Sequence, residues 1–317
     1  MKHLYFAACA PKGGVYHYTL SDGSIRFVEK TDCENPMYLD VTDRDMEIVL
    51  QHPFPENRFS GLVHYDIEDF SLVNPTAPQS TMGYEGCHLS RFCGNTYVAN
   101  YSSGSLFSSE GKTDVHEGSG PNKMRQEAPH VHFVKPSPDG KYLLAVDLGV
   151  DGIYTYDKDL NVVSVAHTDP GRGPRHLDYS EDGKTVFCLN ELDSSITVFA
   201  YEDGILTKGE TYTILSSDIK ETKAAAIRVR GEYVYGSNRG ENTIACMKWD
   251  GKTLTMANSV PCGGDSPRDF DIIDGYMFVT NEYTNNVTVF SVNGSDMEKL
   301  PIELPMENPL SVVAVDG

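Results

Sequence analysis

One phrase returns along this sequence. A β-rich run reaches a small or polar residue, a turn of four or five residues follows, and a second β-rich run begins six residues after that marker. The fuller copies are KYLLAVDLGVDGIYTYD, TVFCLNELDSSITVFAY, EYVYGSNRGENTIACMKWD and YMFVTNEYTNNVTVFSV, and NTYVANYSSGSLF and LYFAACAPKGGVYHY are shorter ones. Two apolar, β-branched runs around a short polar turn read as a hairpin. The markers are Cys9, Asn100, Asp147, Asn190, Asn238 and Asn281, so the spacings after Asn100 are 47, 43, 48 and 43 residues. Cys9 to Asn100 is 91 residues, two such periods, and MEIVLQHPFPENRFSGLVHYDIED supplies the member between them with a longer turn. Seven hairpins result.

A further short element precedes each hairpin except the first, usually behind a turn proline. These elements are NPMYLDV, GCHLSRF, APHVHFV, GPRHLDY, KAAAIRV and SPRDFDI, and NPLSVVAV ends the chain with no hairpin after it. That last element completes the unit begun by the first hairpin, so the chain ends close a ring. A period near 45 residues containing only strands is the mark of a β-propeller, whereas β-solenoid coils repeat at shorter intervals and form fewer hairpins. The expectation is an all-β fold: one seven-bladed propeller domain over residues 1–317, closed by N- and C-terminal strands paired in one blade.

Composition narrows the partners. With 39% hydrophobic and 23% charged residues the chain is a packed protein and not a disordered one. A formal charge of −20 argues against a nucleic-acid surface, which needs clustered Lys and Arg to displace counterions. It does not argue against an anionic small molecule, because a few inward arginines set the local field of a cleft. The opening MKHLYFAACAPKGG is too short an apolar run for a membrane span and lacks a signal-peptide layout. Seven cysteines, an odd number without a CxxC pair, fit reduced thiols in a cytoplasm better than a disulfide scaffold or a zinc site.

In a propeller the first strand of each blade lines the axis, so residues just after the turn proline should gather at one mouth. That position holds Met37, His88, His130, Arg175, Arg268 and Leu310, with the fifth element ambiguous around Ala226 to Arg228. His132 shares the direction of His130, because strand side chains alternate. A second ring follows the markers: Tyr101, Leu148, Glu191, Arg239 and Glu282. One sector of the channel thus collects His130, His132, Arg175, His176, Glu191, Arg228, Arg239 and Arg268. Arginine supplies a planar fork for a carboxylate, a phosphate or a developing oxyanion, while His and Glu move protons near neutral pH.

GPRHLDYSEDG followed by CLNELDSSITVF, then YGSNRG, SPRDFD, APHVHF with VDLGVD, and CHLS with VANYSSGS, together resemble the seven-bladed lactonase family. That family includes the propeller-type 6-phosphogluconolactonases and fungal carboxymuconate lactonising enzymes. The resemblance covers nearly the whole chain and is weakest over residues 45–80. It implies active-site roles for Arg175, Glu191, Arg239 and one histidine, which is His130 counting forward from the proline and His132 counting back from SPDG. The fifth element, AAAIRVRG, departs from the pattern by lacking the proline.

The expected activity is hydrolysis of a sugar δ-lactone, 6-phosphogluconolactone first, with His130, His132 or Glu191 taking a proton from water. Arg175 and Arg239 would stabilise the oxyanion and Arg268 would hold the phosphate. His88, His176 and Arg228 complete the expected substrate site. No cofactor is expected. Asp147, Asn190, Asn238 and Asn281 recur at positions that would suit calcium, but hairpin turns use such residues to bond their own backbone, so no metal is expected. A muconate-type cycloisomerase and a non-catalytic binding propeller are the alternatives.

Overall fold

A computed structural model describes residues 1–219 and 221–317, and among them every regular element is a strand. Seven antiparallel sheets form the blades of a propeller, six of four strands and one of five. The inner strands are Pro309–Asp316, Pro36–Val41, Gly86–Phe92, Val131–Pro136, Pro174–Tyr179, Lys223–Arg230 and Pro267–Ile273, which mark the first to seventh blades. In the first blade Pro309–Asp316 pairs with Lys2–Ala8, so the ring closes inside one sheet.

Local chemistry explains the hairpins. Ser24 pairs with Ser21, Ile205 with Glu202 and Tyr276 with Ile273, which leaves Asp22-Gly23, Asp203-Gly204 and Asp274-Gly275 as two-residue turns. Both residues of each pair have positive φ, 45° and 85° at Asp203 and Gly204, as in the turn whose twist matches that of its strands. The second blade, whose hairpin is the most degenerate in sequence, takes the fifth strand, Gln79–Tyr84.

The markers turn their side chains inward. Asp147 Oδ1 accepts from the Gly149 N–H at 2.8 Å, Asn190 Nδ2 donates to Ser195 Oγ at 2.9 Å, and Asn281 Nδ2 donates to Thr288 Oγ1 at 3.1 Å. These three bonds serve their own hairpins, while Asn238 Nδ2 donates to the Ile214 carbonyl at 3.1 Å and Asp147 Oδ2 meets His116 Nδ1 at 2.7 Å. Apolar faces meet between blades: Phe187, Leu189 and Ile196 of the fifth pack on Ile227, Val234 and Ala245 of the sixth, all buried. Truncating such a side chain to alanine typically costs about 2–5 kcal/mol.

Candidate active site

All seven inner strands break register near their start. The ladder runs from Pro36 to Tyr38, Gly86 to His88, Val131 to Phe133, Pro174 to His176, Ala224 to Ile227, Pro267 to Asp269 and Pro309 to Ser311. The residues left out are Met37, Cys87, His132, Arg175, Ala225 with Ala226, Arg268 and Leu310. A β-bulge leaves its extra residue unpaired and re-aims its side chain. Here Met37, Cys87, His132, Arg268 and Leu310 line a cavity of about 320 Å³ at one mouth of the channel. Tyr101, Glu191, Arg239 and Glu282, each following a marker, share the wall with Cys9, Gln51, Glu85, Arg125 and Asn308.

Glu191 is the centre of this mouth. Its Oε1 lies 2.5 Å from Arg125 Nη2, and its Oε2 lies 3.0 Å from Arg175 Nε and 2.9 Å from Arg239 Nη2. Burial favours the neutral acid, but Arg239, Arg175 and Arg125 together outweigh it and hold the carboxyl well below its usual range. Glu191 is therefore a permanent anion and a poor proton acceptor. Burial and Arg239 push the Arg175 guanidinium down to about 9 against the pull of Glu191, so it stays charged at neutral pH.

His132 has the opposite character. Burial, then Arg175, hold its imidazole well below the ordinary histidine value, so it is neutral at pH 7 and keeps a ring lone pair, although the same surroundings resist the charged form. Its Nδ1 is 3.8 Å from Cys87 Sγ. Burial pushes that thiol up to about 12, so no thiolate forms beside it. Arg268 is the least committed guanidinium: its one ion pair, to Glu282 Oε2, is 3.4 Å long. Arg239 spends Nε on the Lys223 carbonyl and Nη2 on the Ala224 carbonyl and Glu191, which leaves Nη1 with no protein partner among the described residues.

The structure thus brings together His132, Glu191, Arg239 and Arg268, with Arg175 directly beneath. The other sequence-derived candidates stand elsewhere. His130 is buried at the rim, stacked on Tyr101 with ring centroids 4.4 Å apart, its Nδ1 3.1 Å from the Tyr101 carbonyl and its Nε2 3.3 Å from Glu127. Counting from proline fails in this blade because Val131, not Pro129, pairs with the marker Asp147. His88 lies one residue past its bulge, and Cys87 takes the position on the cavity wall.

His176 sits one layer below, its Nε2 accepting from Arg175 Nη1 at 3.0 Å. Arg228 faces the opposite mouth, paired to Asp269 at 2.8 Å, because the alanines Ala225 and Ala226 occupy the bulge of its strand. Arg125 was missed. It comes from the long connection before the fourth blade, outside the repeat, where buried Gln126 ties the loop to the Leu148 carbonyl and Asp151. Among the described residues no group of three or more His, Cys, Asp and Glu side chains is arranged to hold a metal.

The model of the "Lactonase, 7-bladed beta-propeller" family matches residues 3–314. The 6-phosphogluconolactonase of Bacillus subtilis is 31% identical over 324 aligned positions, covering 91% of each chain. A Staphylococcus saprophyticus protein is 31% identical over 289, covering 82% of each. The crystal structure of a Bacteroides fragilis protein, provisionally called a 6-phosphogluconolactonase, superposes with a TM-score of 0.90 at 26% identity, over 99% of this chain and 98% of that one.

Proposed function

The chain belongs to the seven-bladed β-propeller lactonase family, and from that premise we propose that it opens the δ-lactone of a phosphorylated sugar acid, 6-phosphogluconolactone, to 6-phosphogluconate in the pentose phosphate pathway. The observation that carries this reading is the division of labour between a locked carboxylate and a neutral imidazole in one arginine-rich cavity. His132 takes a proton from the water that attacks the lactone carbonyl. Arg239 Nη1 and Arg268, whose donors are the least spent, stabilise the oxyanion and bind the phosphate. Collapse breaks the bond from the carbonyl carbon to the ring oxygen, and His132 returns its proton to that oxygen.

Glu191 holds the guanidinium groups in place, and Arg175 acts through Glu191. Losing a preorganised oxyanion donor typically costs about 10²–10³ in kcat. We place the reaction in the cytoplasm, a reading supported by seven unpaired cysteines.

The test is turnover of freshly generated 6-phosphogluconolactone in the presence of EDTA. We expect hydrolysis that EDTA leaves undiminished. In Arg268→Ala the KM should rise by about tenfold or more for this substrate, the value of one charge-assisted hydrogen bond, and less for unphosphorylated gluconolactone. A folded wild type that shows no turnover would overturn the assignment.

A further inference from the structure

We propose that His176 and His88 form a proton path from His132 through the propeller axis to the opposite mouth of the channel. The inference rests on the lactonase reading above. Hydrolysis to a carboxylate at neutral pH leaves one surplus proton per turnover. Water adds its oxygen to the acyl carbon, the bond from that carbon to the ring oxygen breaks, and the ring oxygen keeps one water proton. The nascent carboxylic acid ionises and hands the other to His132.

Three imidazoles span the axis. The His132 and His176 ring centroids are 5.4 Å apart with planes at 62°, and those of His176 and His88 are 5.6 Å apart at 69°. His132 lines the upper cavity, and His88 lines a second cavity of about 300 Å³ at the far end. Between them a void of about 10 Å³ is bounded by His176, Tyr38 and Asp269. Arginine has no acceptor, so the 3.0 Å contact from Arg175 Nη1 makes His176 Nε2 the acceptor and puts the His176 proton on Nδ1.

Among the described residues that Nδ1 is buried without a partner, and so is Asp269 Oδ2. Two unsatisfied polar atoms on residues around a void of this size are what a single bridging water serves. Tyr38 borders both the void and the far cavity, its ring centroid 4.1 Å from that of His88.

The charges around the column differ between its ends. The upper mouth, where substrate sits, is lined by Arg125, Arg239 and Arg268 together with Glu85, Glu191 and Glu282. At the far end Arg228 is answered by Asp269 and Asp271, and Lys135 by Asp178. The titratable or charged groups facing His176 are Arg175, Arg228, Arg268, Asp269, Cys87, Tyr38 and the other two histidines. Burial holds all three imidazoles neutral at rest. A proton entering His176 at Nε2 displaces the Arg175 contact and one leaves from Nδ1, while at His88 the arriving proton displaces the Val134 N–H from Nδ1, so each ring carries the charge only in passing.

The experiment compares wild type, His88→Gln and His176→Gln in weak and in strong buffer. In weak buffer both variants should lose about tenfold in kcat with KM little changed, less than the hundredfold or more expected for loss of the base itself. Added imidazole should restore His88→Gln, a rescue that a merely structural role would not give. A proton inventory on the wild type, bowed in weak buffer and linear in strong buffer, tests the path without any variant. An active wild type with a linear inventory throughout, or variants with full kcat in weak buffer, would overturn the path and leave the lactonase reading intact. An inactive wild type would overturn both.

Discussion

The two mouths of the channel are built from the same seven strands, yet their charges are paired differently. At the far mouth each cation meets a carboxylate on a neighbouring blade: Lys135 with Asp178 at 2.6 Å, Arg228 with Asp269 at 2.8 Å, and Arg230 with Asp271 at 2.6 Å, the last carboxylate also lying 3.5 Å from Arg228. At the near mouth Glu191 alone answers three arginines, and Arg268 has one long contact. A carboxylate for every cation cancels the field and fastens blade to blade. Clustering around a single anion leaves guanidinium donors directed at a cavity that Glu85 and Glu282 also line, and an anionic substrate can use those donors.

Removing the hub should break this contrast most severely. Glu191→Ala leaves Arg125, Arg175 and Arg239 facing one another, so kcat/KM should fall about 10²–10³-fold. Thermal or urea unfolding should show a loss of about 3–5 kcal/mol, the cost of breaking a buried ion pair from one side. A variant that keeps full activity would place the chemistry away from this mouth.

Next in size is the histidine pair. His132→Gln should cost about 10²–10⁴ in kcat, while His130→Gln, which alters a rim contact, should cost far less. Equal losses would mean that the bulge does not decide which ring acts.

Acid should weaken both mouths together, because His88, His132 and His176 form the layers between them. Their folded values lie below the ordinary 6.5, so the unfolded chain binds protons that the folded chain refuses. Stability is therefore full above pH 6.5 and lost as pH falls below it, by up to about 1.4 kcal/mol per pH unit for each ring. Urea midpoints measured between pH 7.5 and 5 should decline steeply, and a flat profile would show that these rings titrate normally.

The smallest effect belongs to the far mouth. Lys135→Ala removes a partly exposed pair, so stability should drop by about 1 kcal/mol or less and kcat/KM should stay unchanged.

The sequence made the ring legible because a hairpin period survives wherever turn residues and β-branched runs must alternate, and the missing strand before Lys2 predicted the closure. It made Arg175, Glu191, Arg239 and Arg268 legible because in those blades the proline or marker stands beside the bulge. His132 and Cys87 were not separable from their neighbours, since a bulge is a feature of pairing between strands and leaves no local signature. Arg125 was illegible for another reason: it lies in a connection that the repeat does not describe, and only its 2.5 Å contact with Glu191 reveals it.

The closure of the first blade also bears on how the molecule is made. Lys2 pairs with Asp316 and Phe6 with Val312, partners about as far apart as the chain allows. During synthesis the strand Lys2–Ala8 keeps one edge unpaired until the last strand arrives, and such an edge is a template for wrong partners. Pairing this distant in sequence also makes folding slow. The nascent chain is thus most prone to aggregate between completing its first hairpin and releasing the strand Pro309–Asp316, because the lock that fastens the ring cannot form before that strand emerges.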